Sequence, residues 1–111
     1  MNIVNRGYIA VTPKQPFIDW VNTFENDIEL SLDFDNEPSV YLITEDFIDD
    51  EPVIKQHFKK IFRNELLAIT EDELDWPQSI SLELFLEWFE VSLGSMVFDL
   101  EKSNLVKEQV E

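Results

Sequence analysis

The chain has no cysteine, only two glycines (Gly7 and Gly94), and 8 basic residues against 24 acidic ones. Each scarcity excludes something. Without cysteine there is no disulfide, no thiolate metal site and no thiol nucleophile. Two isolated glycines cannot build a glycine-rich phosphate loop, and neither a GxSxG turn nor a paired-histidine zinc motif is present. No apolar run approaches the ~20 residues of a membrane-spanning helix. The opening Met1-Asn2-Ile3-Val4-Asn5-Arg6 lacks the basic head and apolar stretch of a signal peptide. These absences predict a cytoplasmic protein without a cofactor. The shortage of bases leaves a formal charge of −16. Because each phosphate contact wants a Lys or Arg, nucleic acid and anionic membrane surfaces are not expected partners.

What is present suits a folded domain. Hydrophobic residues make up 44% of the 111 residues and aromatics 13%, too apolar for a disordered chain. The length fits one domain, placed over residues 1–101, with 102–111 a polar tail expected to fray. Charge is segregated along it. Residues 25–51 hold 11 acids and no base, and residues 65–101 hold 10 acids and no base. Between these blocks Lys55, Lys59, Lys60 and Arg63 supply half of all the basic residues.

Residues 3–11 read as a strand. A helix follows, started either by a Thr12–Gln15 capping box or at Gln15 with Pro16 first. Its apolar face is Phe17, Trp20, Val21 and Phe24, at i, i+3, i+4 and i+7. Ile28, Leu30, Leu32 and Phe34 alternate with polar residues, the period of a half-buried strand, and Ser39–Ile43 would pair with it as a hairpin. Asp49-Asp50-Glu51-Pro52 opens a helix to about Ile69, with Ile54, Phe58, Ile61, Phe62 and Ile69 on its face and Leu66 at the margin. Thr70–Glu73 starts one short turn. Ser79 or Ser81 caps a third helix to about Glu90, and residues 95–100 read as the last strand. The expected fold is α+β: a small, mainly antiparallel sheet of three to four strands with about three helices packed on it.

Several of these segments resemble an uncharacterised family of small acidic bacterial proteins. They are Asn5-Arg6-x-Tyr8-Ile9, Pro13-Lys14-Gln15-Pro16-Phe17, Val40-Tyr41-Leu42-Ile43, Phe58-Lys59-x-Ile61-Phe62-x-Asn64-Glu65-Leu66, Trp76-Pro77, Glu87-Trp88-Phe89 and Ser95–Leu100. The resemblance covers nearly the whole chain. It implies no activity and brings no catalytic residues with it.

Candidate chemistry is sparse. His57, the single histidine, falls at the margin of the middle helix, where packing or solvent is the simpler role. Asp33-Phe34-Asp35-Asn36-Glu37 fails as a calcium loop, with Pro38 at the sixth position and Thr44 at the twelfth. Asp49-Asp50-Glu51 and Glu71-Asp72-Glu73 are better explained by capping than by cation binding, so no metal site is expected. Glu65 stands out because it projects between Ile61, Phe62 and Ile69. A carboxylate there needs a partner or a raised pKa, and Arg6 or Lys14 is the expected cation. Arg6, Lys14, Gln15, Asp19 and Glu65 therefore form the candidate ligand pocket, with Trp20 beside it. The third helix carries an apolar arc wider than one core face requires. Either it is wedged between layers, or Leu84 and Trp88 meet another chain. The stripe Lys55, Lys59, Lys60 and Arg63 is a solvated face or a receptor for the acidic face of a second copy. The leading functional expectation is a non-enzymatic interaction or regulatory domain that engages a basic protein, or a second copy, through its acidic surface and the Trp88 side. The alternative is a small metabolite-binding protein or enzyme using Arg6, Lys14 and Glu65.

Overall fold

A computed structural model describes residues 1–24 and 29–110. The element order is β1 (Asn2–Val4), β2 (Gly7–Pro13), α1 (Gln15–Val21), β3 (Ser39–Ile43), α2 (Asp50–Leu67), a single 3₁₀ turn (Glu73–Asp75), α3 (Leu82–Trp88), β4 (Phe89–Gly94) and β5 (Val97–Asp99). The class is α+β. A three-stranded antiparallel sheet has the order β3-β2-β4, and β1 and β5 form a second, two-stranded ladder.

The two ladders are one ribbon with an offset. Val4 pairs with Val97, whereas Tyr8 pairs with Gly94. Three residues, Asn5, Arg6 and Gly7, therefore stand opposite two, Ser95 and Met96. One extra residue in one strand is a β-bulge, and it breaks the strand expected over 3–11 into β1 and β2. Both glycines lie beside this break for want of space. A Cβ on Gly7 would lie 2.8 Å from the Gly94 carbonyl oxygen and 3.1 Å from that of Thr44. A Cβ on Gly94 would fall on the ring of its cross-strand partner Tyr8.

Period-two alternation sorts the sheet into faces. Ile9 and Val11 of β2, Ile43 of β3 and Phe89 of β4 are buried, and the helices cover this side. Val40 and Leu42 point to the other side and are exposed. The core joins these strand residues to Phe17, Ile18 and Val21 of α1, Val53, Ile61, Phe62 and Leu66 of α2, and Phe85 of α3. Its centre is aromatic: Phe85 lies 5.6 Å from Phe62 and 5.4 Å from Phe89, and Phe17 lies 4.9 Å from Phe89, centroid to centroid.

Several local expectations are corrected. Thr12 and Pro13 belong to β2, which removes the Thr12 capping box and leaves the other start, at Gln15 with Pro16 in the first turn; Lys14 occupies the N-cap position of α1, and its carbonyl accepts from the backbone N–H groups of Phe17 and Ile18. No strand forms over residues 29–35; Ile28 lies outside the described residues. The Ser31 carbonyl accepts from Phe34 and Asp35 in a tight turn, and the Asp35 carboxylate accepts from the Ser31 N–H at 2.8 Å. The Asn22 amide meets both backbone groups of Leu30, at 2.8 and 2.9 Å, and so supplies what a neighbouring strand would have supplied. The alternation places Leu30 and Leu32 against the core, but Phe34 is 87% exposed. β3 pairs with β2 instead of forming the expected hairpin. On α2, Leu66 is fully buried, and Ile69 is exposed because the helix has already ended at Leu67. α3 starts with the Ser81 hydroxyl accepting from the Leu84 N–H, then passes directly into β4. The final strand is shorter than expected, Val97–Asp99. Among the described residues, no helix is long and apolar enough to cross a membrane.

Candidate functional site

A cavity of about 520 Å³ opens between β3 and α2. β3 supplies Tyr41, Leu42 and Ile43, α2 supplies His57, Lys60, Ile61 and Asn64, and the tail returns to add Gln109 and Val110. The helical contribution follows from the period: positions 57, 60, 61 and 64 are i, i+3, i+4 and i+7, one face of a helix.

Beside the cavity a polar cluster ties the strand to the helix. Ser39 and Tyr41, two residues apart, share the inward face of β3. Asn64 and Glu65 are consecutive on α2. Both hydroxyls donate to Glu65: Ser39 Oγ to Oε1 at 3.1 Å, and the Tyr41 hydroxyl to Oε2 in a short contact. The Asn64 amide donates to the Tyr41 oxygen at 3.0 Å. Burial pushes the Tyr41 phenol above its ordinary range. The Asn64 hydrogen bond opposes that shift, and the hydrogen bond and charge of Glu65 add to it. At neutral pH the hydroxyl therefore keeps its proton and acts as the donor to Glu65.

The partner expected for Glu65 is corrected accordingly: hydroxyls hold it, and neither cation does. The Arg6 guanidinium donates to the Asn5 carbonyl at 2.8 Å, and the Lys14 ammonium donates to the Leu86 carbonyl at 3.0 Å. Gln15 and Asp19 bond each other at 2.8 Å, one helical turn apart. The five residues expected to converge are thus engaged in separate places, because β2 carries Lys14 to the α3 end of the sheet while Glu65 faces β3. Trp20 lies on the Lys14 side, donating to the Asp75 carbonyl at 3.1 Å.

Leu84 and Trp88 do not form an outward-facing pair. Both are half-buried and packed against the core. Trp88 lies 5.6 Å from Trp20, 5.7 Å from Phe62 and 6.1 Å from Phe17, so the wide arc of α3 reflects a helix wedged between α1 and α2.

The basic stripe is divided. Lys55 pairs with Glu51 at 2.9 Å, and that pairing lowers the Glu51 pKa, first by the hydrogen bond and then by charge attraction. Arg63 pairs with Glu73 at 2.9 Å and stacks over the Trp76 ring at 5.1 Å. Lys59 is exposed, and Lys60 lines the cavity. The acidic triplets serve the fold in part: Asp72 accepts from the Leu74 N–H at 3.0 Å to cap the 3₁₀ turn, while Glu51 and Glu73 hold cations. Among the described residues no group of three His, Cys, Asp or Glu side chains is placed to hold a metal ion.

Of the cavity residues, the sequence singles out neither Tyr41 nor Asn64 as a site candidate, and it reads His57 as a packing or solvent-facing residue. Their signal was the helical spacing of His57, Lys60, Ile61 and Asn64; the strand that completes the site is not adjacent in sequence. No family, curated protein or solved structure matches the chain.

Proposed function

We propose that the protein is a non-enzymatic interaction or regulatory domain whose acidic surface docks a basic protein. The supporting observation is the fate of the α2 cations. Lys55 and Arg63, half of the basic stripe, are spent on Glu51 and Glu73 of the same chain. Two of the four stripe cations thus meet the chain's own carboxylates, which disfavours the stripe as a receptor for the acidic face of a second copy. The surrounding charge of −16 remains as a long-range field that speeds encounter with a basic surface and repels nucleic acid. A cytoplasmic setting and kinship with small acidic bacterial proteins belong to the same proposal.

The test is co-purification of the tagged chain from its native lysate with low- and high-salt washes, followed by reconstitution from purified components. The expected result is a stoichiometric basic protein that is released at high salt and rebinds at low salt. A partner that survives high salt, or no partner at either salt, overturns the proposal.

A further inference from the structure

We propose that the outer face of the sheet is the contact surface for a second copy of this chain, the two faces packing against each other about a two-fold axis. The helices cover one side of the sheet and leave the other open. An antiparallel sheet with one side in water ordinarily alternates apolar inward with polar outward. Here the outward positions are largely apolar as well. The register sets Leu42 beside Tyr8, Val40 beside Ala10 and Ile3 beside Phe98. The extra residue of the bulge lies between β1 and β2, so alternation runs unbroken from β4 into β5 and keeps Met96 and Phe98 on the outer side. Ile3, Val40, Leu42, Met96 and Phe98 are each at least half exposed.

Charge selects the occupant. The chain has 24 acids, yet among the outward strand positions the single charged residue is Glu90, at the corner beside Thr12. A basic protein would leave its cations unpaired over these apolar side chains. A second copy brings a face of the same chemistry, uncharged at its centre. Sheets pack face to face with their side chains interdigitated, and a two-fold axis brings one patch against itself.

The exposed area is large enough for such a contact. A compact monomer of 13.1 kDa exposes about 6,400 Å², whereas this chain exposes 8395 Å². Part of the excess of about 2,000 Å² is the tail, exposed over residues 102–110, and part is this face. A standard interface takes only about 800 Å² from each partner.

The experiment is sedimentation equilibrium of the purified full chain over a concentration series at low and high salt. The expected result is twice the monomer mass at high concentration, with association that tightens as salt rises, because salt screens the repulsion between two chains of charge −16. Leu42→Glu and Phe98→Glu, each present twice in a two-fold dimer, are each expected to weaken association about a hundredfold. Leu74→Glu, at a 92% exposed position in the 3₁₀ turn, should leave it unchanged. Isotope-filtered NMR on a mixture of labelled and unlabelled native chain should place intermolecular contacts at Leu42 and Phe98, which decides the matter even if a variant folds poorly. Monomer mass throughout, association that loosens with salt, or intermolecular contacts on another face would each overturn the proposal. The basic-protein reading can fail without this one, because the purified chain alone is measured here and the two salt dependences have opposite signs.

Discussion

The Tyr41 hydroxyl donates to the Glu65 carboxylate across the seam between β3 and α2, and the Asn64 amide donates back to the same hydroxyl. The strand therefore meets the helix through a closed polar circuit as well as through apolar packing. A hydrogen bond to a charged group contributes about 1.5–3 kcal/mol. Glu65→Gln should accordingly lower stability by about 2 kcal/mol, read as a shift in the urea midpoint at constant slope. Tyr41→Phe should cost a similar amount, and the double variant should cost less than the sum, because the two residues share one interaction. Full additivity would show that the circuit carries no coupling.

The same pair makes stability depend on alkaline pH. The folded state holds the Tyr41 proton more tightly than the unfolded chain does, since its phenol pKa is raised, chiefly by burial. That contribution is complete below the unfolded tyrosine value near ~10 and is lost as pH climbs above it. Urea melts across that range should show a steeper decline for the native chain than for Tyr41→Phe. Parallel declines would place the alkaline sensitivity elsewhere.

The two glycines should tolerate alanine unequally. At Gly94 the obstacle is the outer part of the Tyr8 ring, which can swing away; at Gly7 it is the carbonyl oxygens of Gly94 and Thr44, fixed in the backbone. Overpacking costs about 1–3 kcal/mol, so Gly94→Ala should fall at the low end and Gly7→Ala at the high end. Thermal melts of the two variants check the order.

Trp88 should behave as a core residue. It packs against Phe17, Trp20 and Phe62, and Trp88→Ala should cost about 3 kcal/mol. Leu86, on the same helix but 40% exposed, should cost less than about 1 kcal/mol when changed to alanine. Equal costs would mean that Trp88 is not wedged as described.

The Arg63–Glu73 pair should matter little as a pair. Both side chains are more than half exposed, 57% and 64%, so Glu73→Gln should change stability by less than about 1 kcal/mol. Arg63→Ala should cost more, because it also strips the guanidinium from the Trp76 ring. A chemical-denaturation comparison of the two variants tests this directly.

Most of the helices were readable from sequence because their signals are local. Ser81 before α3, the Thr70–Glu73 run at the 3₁₀ turn and the spacing of Ile61 and Phe62 on α2 act within one or two turns of chain, although the cap of that turn is Asp72 and not Thr70. By itself the sequence also determined the strongly acidic charge, the absence of thiol chemistry, and the need of Glu65 for a polar partner. Tertiary structure decided the rest. Leu30 and Leu32 alternate like a strand, yet pairing requires a neighbour, and Asn22 took that place. Phe89 continued a helical apolar pattern, yet β2 offered an edge with which residues 89–94 could pair. Glu65 could have met a cation, but the β2–β3 register put Ser39 and Tyr41 opposite it and carried Lys14 away. Strand pairing joins residues far apart in the chain, and its energy depends on which edges and faces meet, information that no local pattern contains.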